Sequence, residues 1–185
     1  LELWSPKISI PEIHRLPITK NLRILHPASI KEDRSWQNRN IKGTPYIVKA
    51  IERLKDEGHA VEFIHIDTVH ISDMRYYQAQ ADIIVDELIY GWWGSTGVEC
   101  FTLGKPFICY LRPSWKQSFF SNFTEYSELP VIEANINNIY EVLKKVVTDK
   151  AFRKEKGARS RAFAKKHFSL ERNTQQFSKF LERLA

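Results

Sequence analysis

Apolar residues along this chain fall into short continuous runs, separated by longer stretches in which they recur at helical spacing. The runs predict buried strands, and the longer stretches predict amphipathic helices. Strands are predicted at 22–26, 61–66, 83–85, 106–111 and 131–132, and helices at 45–57 (with Thr44 as N-cap), 72–80, 95–103, 136–147, 150–167 and 170–184. Because strands and helices alternate, we expect a Rossmann-like α/β fold in three layers (α/β/α), with about five parallel strands. The aromatic segment 112–129 fits neither period.

The third predicted strand runs into a loop that contains Gly91, Gly94 and Gly97, and a helix resumes at Ser95 or Thr96. Glycines let the backbone come close to a ligand, and the unpaired amides of a first helical turn point outward. The loop therefore predicts an anion site, which we interpret as a site for the phosphates of a nucleotide.

A second loop is predicted to reach the same place. With the strand order 2-1-3-4-5, the winding of the sheet reverses between the first and third strands, and ligands bind beyond the carboxyl ends of the strands there. The loop after the first strand carries Arg39 and Lys42. Fixed cations and oriented amides stabilise the negative charge that develops on a diphosphate leaving group. Glu99, in the first turns of the following helix, is placed to accept two hydrogen bonds from hydroxyl groups.

The composition describes an ordinary globular protein. With 185 residues, 43% hydrophobic and 27% charged, the chain is expected to form one domain at 21–185. Residues 1–20 contain Pro6, Pro11 and Pro17 and are predicted to be a linker or strap. No apolar stretch reaches the roughly 18 residues of a membrane span, and no signal peptide is visible.

The net charge of +6 has a local excess of Lys and Arg only at 153–166. We interpret that segment as a solvated amphipathic helix and not as a nucleic-acid surface, because no nucleic-acid motif accompanies the charge. Cys100 and Cys109 are predicted to be free buried thiols, which indicates a reducing, cytoplasmic compartment. The candidate inward residues of the basic helix are Phe152, Ala158, Ala162 and Phe163.

Three segments together resemble a known family. They are N-R-N-I-K-G-T at 38–44, A-D-I-I-V-D at 81–86 and V-E-C-F-T-L-G-K-P-F-I-C-Y at 98–110. They are similar to the C-terminal half of GT-B glycosyltransferases of the retaining "glycosyl transferases group 1" type, over nearly the whole chain. The resemblance implies one half of a GT-B fold, which binds a nucleoside-diphosphate sugar. It also implies that a separate N-terminal domain, missing here, binds the acceptor.

The resemblance implies roles for single residues. Arg39 and Lys42 are implied as catalytic residues that contact the donor diphosphate and stabilise the leaving group. The backbone of Gly94, Ser95, Thr96 and Gly97 is implied to bind the phosphates or the sugar, and Glu99 the ribose hydroxyls. No metal or other cofactor is expected, because the two cations fill that role and the sequence has no acidic D-x-D cluster. The full enzyme is expected to act in glycan or polysaccharide biosynthesis, in the cytoplasm or at the periphery of a membrane.

The chain departs from the family pattern in two ways. Gly91 stands where the family carries a first glutamate, which normally contacts the sugar. The family also has an additional helix and strand after the second strand, whereas here 61–66 passes almost directly to the helix at 72–80. The sheet is therefore expected to be one strand shorter than in the family, which leads to the order 2-1-3-4-5.

Two other functions remain open from the sequence. One is a non-enzymatic nucleotide- or protein-binding module, in which Trp92, Trp93 and the aromatic residues at 115–126 form an interface. The other is a sugar-nucleotide epimerase built on the same fold.

As a glycosyltransferase of the hexosyltransferase type, this chain is expected to be inactive or weak alone. No histidine is assigned a catalytic role, because the histidines show no ligand spacing.

Overall fold

A parallel five-stranded sheet in the order β2-β1-β3-β4-β5 forms the centre of the protein. The computed structural model describes residues 3–28, 42–66 and 69–183. The strands are β1 (Leu22–Leu25), β2 (Val61–Ile64), β3 (Ile83–Val85), β4 (Phe107–Cys109) and β5 (Ile132–Glu133). The helices are α1 (Thr44–Asp56), α2 (Met74–Gln80), α3 (Gly94–Leu103), α4 (Pro113–Asn122), α5 (Ile139–Thr148), α6 (Lys150–Phe168) and α7 (Leu170–Glu182).

The strand register confirms the predicted order. β1 pairs in parallel with β2, with Leu22 opposite Val61, and with β3, with Ile24 opposite Ile83. β4 and β5 extend the sheet on the far side of β3. The winding therefore reverses between β1 and β3, and the carboxyl ends of these two strands border a crevice.

The two faces of the sheet have different cores. Helices α1 and α5 cover one face, and the buried side chains there are aliphatic apart from partly buried aromatic residues at the margin. Helices α2, α3 and α6 cover the other face, where the buried cluster includes Trp93, Phe101, Phe107 and Phe163. Successive strand residues point to opposite faces, so that Ile83 joins the first cluster and Ile84 the second.

The inward face of α6 was predicted wrongly in part. Phe163 is buried, but Ala158 and Ala162 are exposed. The buried positions include Gly157, because α6 passes close to the end of α3: a Cβ atom at Gly157 would lie 2.7 Å from the carbonyl oxygen of Gly104. The rotation of the helix is thus set by a close contact between small residues, which hydrophobicity alone does not indicate.

The aromatic segment that fitted no period contains a helix. α4 begins at Pro113, and Arg112 precedes it in an extended conformation. Proline is favoured at the first helical position because its fixed φ suits a helix and its missing N–H is not needed there. A 3₁₀ turn at Thr124–Tyr126 follows the helix. Helix α2 begins at Met74, later than the predicted start at Ser72.

The first part of the chain lies along α2. The backbone N–H of Leu16 donates to Gln80 Oε1 at 2.8 Å, and Gln80 Nε2 donates to the carbonyl of His14 at 2.8 Å. Nearer the N-terminus, Trp4 Nε1 donates to Gln78 Oε1 at 3.1 Å. Residues 3–16, which we call the strap, are therefore held on α2 by specific hydrogen bonds. The predicted domain boundary near residue 20 stays a prediction.

Both cysteines are free and buried, as predicted. Burial raises the pKa of the Cys100 and Cys109 thiols well above the usual range, so they are not reactive thiolates at neutral pH. Within the described part of the chain, no helix is long and apolar enough to cross a membrane.

Candidate functional site

Two hydrogen-bonded pairs of side chains lie at the carboxyl ends of β1 and β3. They are His26 with Thr44 and Lys42 with Asp86, and we call the four residues together the Lys42 cluster. Lys42 Nζ lies 2.5 Å from Asp86 Oδ1, and the Asp86 side chain is only 3% exposed. Lys42 Nζ also donates to the carbonyl of Pro27 at 3.3 Å, and the Lys42 carbonyl accepts from the N–H of Leu88. The loops after β1 and β3 are thereby joined, as the sequence predicted.

His26 fixes the geometry of this cluster. Its Nδ1 lies 2.8 Å from the Val85 carbonyl, which only accepts, so Nδ1 carries the proton and donates. Nε2 then accepts from the Thr44 hydroxyl at 2.9 Å. Burial lowers the pKa of His26 from 6.5 to about 4, and the Val85 bond opposes this only partly. His26 is therefore neutral at pH 7 and holds β1, β3 and the start of α1 together.

Glu99 lies in the second turn of α3, where a ligand and the protein can share its carboxylate. Its Oε2 accepts from Gln78 Nε2 at 2.7 Å. Partial burial raises the pKa of Glu99, the Gln78 bond lowers it, and the charges of Asp86 and Lys42 act in opposite directions. Glu99 therefore lies on the side of α3 that faces Gln78 of α2. We call Trp4, Gln78 and Glu99 the Glu99 relay.

The start of α3 presents backbone amides to this crevice. Gly94 and Ser95 are exposed, and Gly94 has a φ of +50°. The N–H groups of Gly94, Ser95 and Thr96 precede the first intrahelical bond, in which Gly97 donates to the Trp93 carbonyl at 2.8 Å. Gly97 is buried, and a Cβ there would meet Trp93 at 3.1 Å, so Gly97 serves close packing. Its predicted contact with a ligand stays a prediction.

Gly91 explains one departure from the family pattern. Its φ is +98°, a conformation that glycine adopts easily and other residues do not. A Cβ atom at Gly91 would lie 2.8 Å from Arg112 Cβ and 3.0 Å from the Arg112 backbone nitrogen. The Gly91 carbonyl also accepts from that nitrogen at 2.9 Å. A glutamate side chain therefore does not fit at this position.

The charge of the described crevice differs from the expected one. The sequence predicted converging positive potential, but Lys42 is already paired with Asp86. Glu87 adds a further carboxyl group, whose pKa is raised by burial and by Asp86, with Lys42 acting against them. Arg39, the other predicted cation, lies outside the described residues. In the described part of the chain, therefore, the crevice offers helix amides and a carboxylate more clearly than free positive charge.

An open aromatic hollow of about 470 Å³ lies between the loop after β3 and α4. It is lined by Tyr90, Trp92, Trp115, Ser118, Phe119, Asn122 and Phe123. Trp92 and Phe119 meet edge to face with ring centroids 5.1 Å apart. Trp93 is different from its neighbour, because it is 7% exposed and stacks on Phe168 in the core.

Several site residues were missed or passed over in the sequence. His26 and Asp86 each directly follow a strand that borders the crevice, and this position was a usable signal. Gln78 and Trp4 gave no such signal, because they lie 74 residues apart in the chain and meet only through the packing of the strap. Among the described residues, no group of His, Cys, Asp and Glu side chains is arranged to hold a metal ion.

Comparison with known proteins agrees with this architecture. No family model and no curated protein matches the sequence. Among solved structures, a sucrose-phosphate synthase from Thermosynechococcus elongatus superposes with a TM-score of 0.58 at 16% identity, over 89% of this chain. WaaG, a glycosyltransferase involved in lipopolysaccharide biosynthesis, gives 0.54 at 17% identity, over 87% of this chain. The chain has the fold of one half of a GT-B glycosyltransferase.

This chain spans 46% of the synthase chain and 49% of WaaG, about half of each. A UDP-N-acetylglucosamine 2-epimerase is also similar, with a TM-score of 0.45 at 19% identity, over 74% of this chain and 35% of its own. That score is too low to bear on the fold.

Proposed function

We propose that this chain is the donor-binding half of a glycosyltransferase and binds a nucleoside-diphosphate sugar at the carboxyl edge of its sheet. The observation that carries the proposal is the position of Glu99. Its carboxylate is partly buried, accepts one hydrogen bond from Gln78 and lies one turn beyond the open amides of α3. A carboxylate has lone pairs for further donors, so Glu99 is suited to accept hydrogen bonds from a ribose diol.

We assign the binding of the phosphates to the start of α3 and to Lys42, in the loop after β1. The amides of Gly94, Ser95 and Thr96 bind phosphate oxygens, with the helix dipole in support. Lys42 has three N–H donors, of which Asp86 and Pro27 take two among the described residues. We assign the remaining donor to the diphosphate, together with Arg39, to stabilise the leaving group. In this assignment the reaction needs no metal ion.

The fold similarity supports a proposal for the wider role of the chain. The chain is proposed to act with a separate acceptor-binding domain in glycan or polysaccharide biosynthesis, as a hexosyltransferase of the retaining type. The activity is assigned to the cytoplasm or to the cytoplasmic surface of a membrane. The proposed ligand is the nucleotide sugar and not nucleic acid.

Thermal-shift measurements with UDP, GDP, ADP, CMP and dTDP test the proposal. We expect at least one nucleoside diphosphate to raise the Tm, because a ligand that binds only the folded state stabilises it. If none does so at millimolar concentration, the donor-site assignment is wrong.

The role of Glu99 is tested with the best ribonucleotide and its 2′-deoxy analogue. Glu99→Ala is expected to weaken binding of the ribonucleotide by about 1–3 kcal/mol, the usual cost of a lost charge-assisted hydrogen bond. The variant should also lose the preference for ribose over deoxyribose. Glu155→Ala, on the exposed face of α6, is the matched control. Equal affinities in wild type and Glu99→Ala would remove Glu99 from the site.

A non-enzymatic protein-binding function is the second candidate, and the aromatic hollow favours it. Tyr90, Trp115 and Phe123 are 44%, 37% and 47% exposed, and aromatic side chains of this kind are enriched in protein interfaces. If no nucleotide binds, this hollow becomes the principal candidate site.

A further inference from the structure

Gln78 is a buried amide with two opposite partners. Its side chain is fully buried, and each of its polar atoms makes a hydrogen bond to a different part of the chain. Oε1 accepts from Trp4 Nε1 at 3.1 Å, and Nε2 donates to Glu99 Oε2 at 2.7 Å. The strap and helix α3 are therefore joined through a single side chain on α2.

The chemistry of the two partners fixes the orientation of the amide. The indole N–H of Trp4 is only a donor, so it must face the oxygen of Gln78. An ionised carboxylate is only an acceptor, so Glu99 must face the NH₂ group. A rotation of the amide by half a turn would set oxygen against oxygen at Glu99 and donor against donor at Trp4. Trp4 thus holds the donor of Gln78 toward Glu99.

We propose that Gln78 and Trp4 are positioning residues for Glu99, and that through them the strap helps to form the nucleotide site. This inference rests on the proposed function, in which Glu99 accepts hydrogen bonds from a ribose diol. Gln78 holds one carboxylate oxygen by a neutral donor, so the carboxylate keeps its charge and its direction while the other lone pairs stay open to the ligand. Removal of the Trp4 N–H frees the Gln78 amide to turn and weakens that hold.

Three substitutions separate the parts of the relay. Gln78→Met keeps the length of the side chain but removes both hydrogen-bonding groups, and we expect the Kd for the best ribonucleoside diphosphate to rise about tenfold. Gln78→Glu keeps the shape but sets an acceptor against Glu99, and the loss should be larger. Trp4→Phe keeps an aromatic ring and removes the N–H, and we expect a rise of about threefold.

Gln80→Met is the matched control. Gln80 lies on the same helix and anchors the strap at His14 and Leu16, but it makes no hydrogen bond to Glu99. This variant should loosen the strap and change the Kd by less than about twofold. If Gln80→Met weakens binding as much as Gln78→Met, the effect comes from the strap as a whole and the positioning role is wrong.

A spectroscopic measurement tests the relay without any nucleotide. The indole N–H signal of Trp4 is identified in a ¹H–¹⁵N spectrum by its loss in Trp4→Phe. We expect Glu99→Gln to move this signal in the wild-type background and to leave it unchanged in the Gln78→Met background. An unmoved Trp4 signal in both backgrounds overturns the relay, whether or not nucleotides bind. If the signal moves as expected but no nucleotide binds, the proposed function fails and the relay remains as a structural coupling between strap and α3.

Discussion

The Lys42 cluster and the Glu99 relay each contain a carboxylate, but the two carboxylates have different kinds of partner. Asp86 is 3% exposed at its side chain and has a cation of the protein at 2.5 Å. Glu99 is less buried, and its nearest partner is the neutral amide of Gln78. The first carboxylate is neutralised inside the fold, whereas the second keeps its charge and part of its hydrogen-bonding capacity.

This difference distinguishes a carboxylate with a structural partner from a carboxylate that has capacity left for a ligand. In the Lys42 cluster, Lys42 and Asp86 balance each other's charge within the chain, although one N–H donor of Lys42 stays open. His26 and Thr44 complete the connection between β1, β3 and α1. In the relay, burial raises the pKa of Glu99, so the fold bears a cost for holding this carboxylate. A cost of this kind is typical of groups that are kept for a ligand.

The largest expected effect is that of Asp86→Asn. The substitution keeps the shape of the side chain but leaves Lys42 without its anion in a partly buried position. We expect the free energy of unfolding in urea at pH 7 to fall by about 3 kcal/mol, as for other broken buried pairs. The control is Glu133→Gln, which breaks the exposed pair with Lys116 and should cost less than about 1 kcal/mol. Similar losses in both variants would show that the Lys42–Asp86 pair stabilises the fold no more than an exposed pair does.

The next effect concerns His26 and pH. Its pKa is lowered to about 4 in the folded protein, so the unfolded chain takes up a proton first as the pH falls. The stability contributed by neutral His26 is complete above pH 6.5 and is lost progressively as the pH falls from 6.5 toward 4. The loss amounts to at most about 3 kcal/mol for this shift.

The measurement compares wild type with His26→Gln in urea unfolding at pH 7 and pH 4.5. The difference in unfolding free energy between the two pH values should be smaller in the variant, because other titrating groups act in both proteins. Equal differences, or a His26 ring that titrates near 6.5 by NMR, would contradict the buried neutral histidine.

The fold could be predicted from the sequence because the patterns that specify its strands and helices are local or periodic. The strand β3 is a run of three fully buried apolar residues, and Gly104, with a φ of +70°, is the C-cap that ends helix α3; both features are visible as patterns in the sequence. The error in α6 has a different origin. Gly157 is inward because Gly104 comes close to it, and such a contact between distant residues leaves no period in the sequence.

The site was predictable to a smaller extent. The strand order predicted that the loops after β1 and β3 meet, and they do so where the Leu88 N–H donates to the Lys42 carbonyl, since topology alone determines which loops meet. The ligand-binding roles of Lys42 and of the start of α3 stay predictions. That Lys42 would be paired was not predicted, because no sequence pattern links Lys42 to Asp86, which lies 44 residues further along the chain. The role of Gln78 was not predicted, since a buried glutamine on a short helix has no distinguishing sequence pattern.

The smallest expected effect on stability is that of Glu99→Gln, and it is the counterpart of Asp86→Asn. A raised pKa in the folded protein means that ionisation of Glu99 opposes folding, so this contribution is unfavourable above the pKa of the unfolded chain, near 4.5, and grows until the pH passes the folded pKa. The glutamine removes that cost, and its oxygen can still accept from Gln78. We expect the unfolding free energy at pH 7 to stay equal or to rise slightly, within about 1 kcal/mol. A loss as large as that of Asp86→Asn would place Glu99 among the structural carboxylates, and the contrast between the two clusters would then disappear.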